Sequence, residues 1–401
     1  MRFLLFIFLL TSTTIFSQKK SDFQTGKWLG QLAMNDRLYV PFTMEISKLK
    51  NKIRIDVVNG KERISLNLRK VGDSLVGRFP ELDAYLKFKF NESGNELRGY
   101  WLNLNKKTQI KIPINAWLDR TKTEIDEASI NVNGKWSATF SPNSENPDHT
   151  VAIFEQNANL IYGTFLTETG DYRFLSGSVS GSQFSMSTFN GSWAFLFEGK
   201  VVNDSIYGKF YSGSNYQTDW IAVKSPSAAL TDPAKLTYVD KEKDFNFLSV
   251  KTLQGKPFNI LKVNKNKVVI YQIMGTWCPN CIDEIQYFKQ LYQKYHNQGL
   301  EIVALAYEVG SSEKSQIKRL KAFKKRLSIP YVVLLAGTSS KEVASSQFPM
   351  LNAIMSFPTS VVVGRNGKIE YVHTGFSGPA TGEIYERYTK EMDELIETLL
   401  R

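Results

Sequence analysis

Cys278 and Cys281 are the only cysteines in a chain of 401 residues, and they stand three positions apart in Trp277-Cys278-Pro279-Asn280-Cys281. The apolar, β-branched run over 268–274 precedes them, as in a buried strand. After them Ile282, Ile285, Phe288, Leu291, Tyr292 and Tyr295 recur at helical spacing. A strand feeding directly into a helix puts Cys278 where unpaired backbone N–H groups and the positive end of the dipole favour a thiolate. Cys281 falls one turn along, close enough to resolve a mixed disulfide. Pro279 suits the first turn, where the amide hydrogen it lacks would have no partner. The chemistry open to such a pair is thiol–disulfide exchange.

Other uses of two cysteines fit less well. Haem attachment needs a histidine where Ile282 stands, and a zinc half-site has no second half in a chain whose three histidines (His149, His296, His373) are scattered. A purely structural bridge stays open, although closing so short a loop removes little chain entropy. Far downstream, Phe357-Pro358-Thr359 precedes a strand over 360–363. By itself Pro358 reads as an ordinary trans-proline opening that strand. After a strand–Trp-Cys-x-x-Cys–helix unit it reads as a cis-proline instead.

Composition frames these elements. Apolar residues make up 42% and charged residues 22%, which is globular composition, and the length suggests two or three domains. The net charge of +11 favours solubility more than nucleic-acid recognition. Residues 1–17 combine Arg2, a short apolar run and a terminal Ser17, which describes a signal peptide too short for the ~20 residues of a membrane span. The expected location is therefore across the inner membrane, in the periplasm. There, stray cysteines normally pair into structural bridges. Two cysteines this close together point to redox work.

Residues 18–122 and 131–227 read as two all-β repeats, with short Val-, Ile-, Phe-, Tyr- and Thr-rich stretches between Asn, Gly, Asp and Ser turns. Gly26-Lys27-Trp28 recurs as Gly134-Lys135-Trp136, and each copy closes on a further tryptophan, Trp117 and Trp220. Leu97-Arg98-Gly99-Tyr100-Trp101 answers Ile206-Tyr207-Gly208-Lys209-Phe210. A looser pair is Leu75-Val76-Gly77-Arg78-Phe79 and Ile161-Tyr162-Gly163-Thr164-Phe165. Each copy holds about eight strands, enough for a lipocalin-like barrel or a sandwich. The aromatics between 136 and 220 fill these cores or line a small-ligand cavity. Residues 228–244 form a linker, and 245–401 alternate strands with helices near 313–327, 340–347 and 381–400, an α/β layer fold. The basic run Lys318-Arg319, Lys321, Lys324-Lys325-Arg326 reads as a solvated helix face, with an acidic docking partner as the alternative.

On Gly275-Thr276-Trp277-Cys278-Pro279-Asn280-Cys281, Glu284, Phe357-Pro358-Thr359 and the run Gly364-Arg365-Asn366-Gly367-Lys368-Ile369, residues 245–401 resemble the exported TlpA/ResA-like thiol–disulfide reductases. The resemblance covers about two fifths of the chain and implies a thioredoxin-like domain. It further implies a disulfide-containing protein as substrate and an external, membrane-linked thiol reductant, with no cofactor, since no flavin or nicotinamide motif is visible. Thioredoxins carry an aspartate six positions before the first cysteine, where this chain has Gln272. In the TlpA/ResA-like group a glutamate three residues after the second cysteine takes its place, and Glu284 matches it. Positions 281 and 284 share one helix face. A solvated carboxylate beside Asp283 is the plainer reading. The resemblance implies catalytic Cys278, Cys281 and Glu284. Trp277, Pro279, Phe357, Pro358 and Thr359 would flank the dithiol and hold an incoming chain. Spacing does not fix redox direction, so a dithiol oxidant or isomerase competes with a reductase. A binding module built on the β repeats competes with both.

Overall fold

In Lys27-Trp28-Leu29-Gly30-Gln31-Leu32 every second residue is buried, the period of a strand with one wet face. The computed structural model describes residues 23–49, 52–104, 109–120, 128–240, 250–260, 263 and 265–401. The expected signal peptide over 1–17 and residues 241–244 of the expected linker lie outside them. Among the described residues no helix is long and apolar enough to cross a membrane.

The first eight strands are β1 (Gly26–Ala33), β2 (Tyr39–Leu49), β3 (Lys52–Asn59), β4 (Glu62–Val71), β5 (Ser74–Arg78), β6 (Ala84–Phe90), β7 (Glu96–Asn103) and β8 (Ile110–Leu118). They form a closed antiparallel barrel in which β8 returns to β1. The next nine are β9 (Gly134–Phe140), β10 (Asp148–Asn157), β11 (Leu160–Thr167), β12 (Gly170–Asp171), β13 (Leu175–Ser180), β14 (Gln183–Phe189), β15 (Ala194–Val202), β16 (Ser205–Ser212) and β17 (Tyr216–Lys224). Here β10 pairs with both β9 and β11, and β17 pairs with β9. Eight of the nine thus close a second ring. The two-residue β12 hangs outside it, paired only to the end of β11. Closure leaves neither copy with a long free edge, so both repeats are barrels and not sandwiches.

The repeat motifs mark equivalent places in the two rings. Gly26 and Gly134 open the first strand of each with positive φ (+124° and +103°), which a side chain would resist. Trp28 Nε1 donates to Gln24 O at 3.2 Å, and Trp136 Nε1 to Val132 O at 2.8 Å. The Gly99 and Gly208 motifs both lie on the seventh ring strand, β7 and β16. The looser pair, on β5 and β11, is not equivalent. The closing tryptophans are not equivalent either. Trp28 faces Leu118 across β1–β8, whereas Trp136 faces Lys224 across β9–β17. Trp117 and Trp220 therefore sit one and four places from their registers, an odd difference that turns them to opposite faces. Trp117 is exposed and Trp220 is fully buried. Inside the second barrel the rings pack on one another: Phe165 stacks on Phe197 at 4.8 Å and Phe197 on Phe210 at 4.5 Å.

After a one-turn helix α1 (Pro233–Leu236) come β18 (Val268–Met274), α2 (Pro279–Tyr295), β19 (Leu300–Glu308), α3 (Glu313–Leu327), β20 (Val332–Thr338), α4 (Lys341–Ser346), β21 (Thr359–Val363), β22 (Ile369–Thr374) and α5 (Glu383–Leu400). Their five strands run in the order β20-β19-β18-β21-β22, parallel across β18–β19–β20 and antiparallel beyond. One sheet face packs with α2, α3 and α5, and the other with Ala344 and Phe348.

The three bodies share a core. Phe189, at the end of β14, inserts among Phe42, Phe79 and Trp101 of the first barrel, with ring centroids 5.0, 5.4 and 5.1 Å away. Asn59 bonds both the N–H and the C=O of Phe189. The expected solvated face of α3 holds for Lys318, Lys321 and Lys325, which are exposed, and is corrected for its arginines. Arg319 donates to Leu104 O (3.0 Å) and Arg326 to Glu81 O (3.1 Å), so two members of the basic run grip first-barrel loops. The described part of the linker is pinned as well, because Asn352 bonds the Tyr238 N–H and the Leu236 carbonyl. Phe189→Ala removes the ring that joins the barrels. Urea unfolding of this variant is expected to show a loss of about 3–5 kcal/mol, and a loss below about 1 kcal/mol would mean that the joint carries little.

Candidate active site

Strand β18 alternates between the two sheet faces, which points Gln272 toward α2 together with Val268, Ile270 and Met274. Ser360 of β21 stands directly opposite Gln272 in the antiparallel register. Glu284 of α2 lies one turn after Cys281 and reaches down to both, taking hydrogen bonds from Gln272 Nε2 (2.7 Å) and Ser360 Oγ (2.8 Å). Glu284 is fully buried. Burial pushes its carboxyl up to about 8, against the pull of those two donors. The plainer expectation of a solvated carboxylate is therefore corrected: the helix face carrying Ile282, Ile285 and Phe288 carries Glu284 inward with it.

Cys278 is the N-cap of α2, and its Sγ accepts from the Cys281 N–H at 3.4 Å. The same Sγ donates to Phe357 O at 3.4 Å. Both cysteines are free thiols. Burial, followed by the neighbouring Cys278 sulfur, pushes the Cys281 thiol well above its usual value. The Phe357–Pro358 bond is cis. Pro279 is the first residue of α2 and is buried. Thr359 is buried too, its hydroxyl donating to Ser356 O at 2.8 Å. Trp277 packs edge-on against Phe357 at 5.5 Å, and its Nε1 donates to Tyr307 O at 3.0 Å. The structure thus gathers Trp277, Cys278 and the Phe357–Pro358 bond together, with Cys281 and Glu284 fully buried behind them. Thr359 is turned inward, bracing the loop.

Residues that sequence reading passed over complete the site. Glu308, at the end of β19, accepts from the Thr276 N–H (2.7 Å) and hydroxyl (2.8 Å), fixing the turn that delivers Trp277 and Cys278. Burial pushes its carboxyl up to about 7. The second barrel supplies more. Asn280 Nδ2 donates to Asp171 O (3.2 Å) and Phe376 O (3.1 Å), Ser356 Oγ donates to Thr169 O (3.0 Å), and Ser192 Oγ donates to Trp277 O (3.5 Å). Arg173 Nη2 binds Asp283 (3.0 Å) and also Glu62 of the first barrel (2.8 Å). Under these contacts Cys278 is only 7% exposed and Cys281 fully buried. A dithiol at a helix tip is expected to lie open, and here the second barrel bonds its neighbours Trp277 and Asn280. No local sequence signal marks these contacts, because each joins residues between 85 and 187 positions apart.

The Redoxin family pattern matches residues 239–387. The chain is 32% identical over 148 residues to the thiol-disulfide oxidoreductase ResA of Bacillus thuringiensis subsp. konkukian (strain 97-27), covering 37% of this chain and 75% of that protein. It is 27% identical over 157 residues to ResA of Halalkalibacterium halodurans, covering 39% and 76%. A crystal structure of a thioredoxin-family thiol:disulfide interchange protein from Chlorobium tepidum TLS is 22% identical, covering 44% of this chain and 100% of that one with a TM-score of 0.29. All of these matches fall on the C-terminal part. Through that domain, with its free cysteine pair at the tip of α2, the chain belongs to the ResA-type thiol–disulfide oxidoreductases.

Proposed function

We propose that this chain is an exported reductant of disulfides in other proteins. The observation that carries the reading is the position of Cys278 Sγ, 3.4 Å from both the Cys281 amide and the Phe357 carbonyl, so that attack, resolution and chain docking meet at one atom. In the first step the Cys278 thiolate attacks one sulfur of the substrate disulfide. The substrate S–S bond breaks, one substrate thiolate leaves, and a mixed disulfide forms. Cys281 then gives its proton to Glu284 and attacks Cys278, releasing the second substrate thiolate and leaving a Cys278–Cys281 disulfide. Two electrons have passed to the substrate. Trp277, Pro279, Phe357 and Pro358 frame Cys278, and Thr359 braces that frame through Ser356. An external thiol donor, linked to the membrane, must return the electrons. The 1–17 leader supports export to the periplasm.

Two measurements test the reading. Replacing Cys281 with serine blocks resolution, so the Cys281→Ser chain is expected to hold its partner as a mixed disulfide on Cys278. Recovery of only unmodified Cys278 after incubation with a disulfide-bearing protein would count against exchange. The reduction potential of the pair decides direction. A value near about −270 mV supports a reductant, and one near about −120 mV an oxidant.

A further inference from the structure

The two ends of the first barrel are unlike. At the inner end lie the β3–β4, β5–β6 and β7–β8 turns. There Asn59 holds Phe189, Trp101 and Asn103 hold Gly191 and Ser192, and Glu81 and Leu104 meet the arginines of α3. At the outer end lie the β2–β3 and β4–β5 turns, beside the start of β1 and the end of β8. Among the described residues, no hydrogen bond or ion pair joins these two outer turns to another body.

Each outer turn sets an exposed aliphatic side chain among exposed cations. Leu49 is 53% exposed next to Lys48 and shortly before Lys52, and Val71 is 42% exposed after Arg69 and Lys70. Among the described residues, none of these four cations makes an ion pair. Lys52 and Arg69 flank the Ile53–Leu68 pair at the open end of β3–β4 and line one dent of about 440 Å³ with Asn67 and Arg78, so their charges converge. The acids described at this end are Asp73, Glu96 and Asp119, paired with Lys89, Arg98 and Lys27, and the exposed Glu92. On the outer wall nearby, exposed Trp117 faces exposed Leu29 across β8–β1.

The cations alone would read as a solvated rim, and the apolar side chains alone as ordinary scatter. Gathered at one end, they fit a lipid surface. Anionic headgroups neutralise the lysines and arginines, while the aliphatic tips and the tryptophan ring leave water at headgroup depth. A soluble polyanion would use the charges and leave Leu49 and Val71 wet. We propose that the outer end of the first barrel docks on a bilayer containing anionic phospholipids. The barrel then acts as a spacer. Strands of eight residues, as in β1, tilted as in small barrels, hold the redox domain about 20 Å from the headgroups. The proposal gives the first barrel a task of its own and does not depend on the disulfide-exchange reading.

The test uses the exported chain begun at Gln18, so that the apolar run of the leader takes no part. It is expected to sediment with vesicles of phosphatidylglycerol in phosphatidylcholine, and about tenfold less with phosphatidylcholine alone. Release is expected in about 1 M salt, where screening shortens to about 3 Å. Lys52→Glu combined with Arg69→Glu reverses two charges and is expected to weaken vesicle binding about a hundredfold. Leu49→Ser combined with Val71→Ser keeps every charge and is expected to weaken it about tenfold. Thermal unfolding checks that both variants fold. A parent chain that stays in solution with anionic vesicles, or binds heparin and no vesicle, overturns the proposal. So does binding within about twofold of the parent in either variant. Reduction of a soluble disulfide is expected to be equal in all three chains, because the substituted turns lie at the far end from the dithiol. Vesicle binding without any disulfide reduction would strike the exchange reading alone.

Discussion

Replacing Cys278 with serine is expected to lower disulfide reduction by about 10³-fold or more, because the attacking atom itself is lost. Cys281 cannot take over. It is fully buried, and its thiol is held well above the usual value. Folding is expected to change little, since serine is close to cysteine in size and its hydroxyl can meet the same amide and carbonyl. Single-turnover reduction of a small disulfide, beside the melting temperature, checks both halves. Retention of more than about a tenth of the parental rate would remove Cys278 from the nucleophile's place. The contrast with Cys281→Ser, which keeps the first step and loses the second, makes the assignment specific.

Glu284→Gln should have the second largest effect, and it can be read in two independent ways. With its carboxyl pushed up to about 8, only about a tenth of Glu284 is ionised at pH 7. That fraction takes the Cys281 proton. Resolution in the parent should therefore accelerate as pH rises toward 8, and in the glutamine variant it should slow by about 10²-fold and lose that inflection. Stability gives the other reading. The folded state keeps a proton that the unfolded chain releases near its ordinary value, so the Glu284 contribution is complete below about pH 4.5 and is lost as pH rises through about 8. Across that window the parent should lose on the order of 5 kcal/mol from this group. Glutamine cannot titrate, so the variant's stability should be flatter with pH. An unchanged pH profile in both rate and melting temperature would take Glu284 out of the mechanism.

Much of the thioredoxin-like domain was legible because its signals are local. The β-branched run before Cys278 is β18, the Ile282–Ile285–Phe288 spacing is α2, and a helix expected over 313–327 spans Glu313–Leu327. Gly26-Lys27-Trp28 and Gly134-Lys135-Trp136 were legible as a repeat because a positive-φ glycine and a buried tryptophan open each ring. Trp117 misled because register depends on where the partner strand starts, and sequence spacing does not record that. The arginines of α3 misled for a related reason. A charged helix face has the same pattern whether water or the Glu81 and Leu104 carbonyls satisfy it. Least legible were the contacts that the second barrel makes beside the dithiol. Asp171, Arg173 and Ser192 are ordinary loop residues until folding places them against Asn280, Asp283 and Trp277.

Arg173 touches Glu62 of the first barrel and Asp283 beside the cysteines, while Phe189 of the second barrel is lodged among the rings of that same first barrel. Cutting the redox portion out of this chain would strip the Asp283 carboxylate of its counter-ion, and parting the barrels would bare the rings around Phe189. The barrels are therefore not detachable passengers on a portable catalytic cartridge. Evolution, like the protein engineer, has to move all three pieces together or rebuild the seams between them.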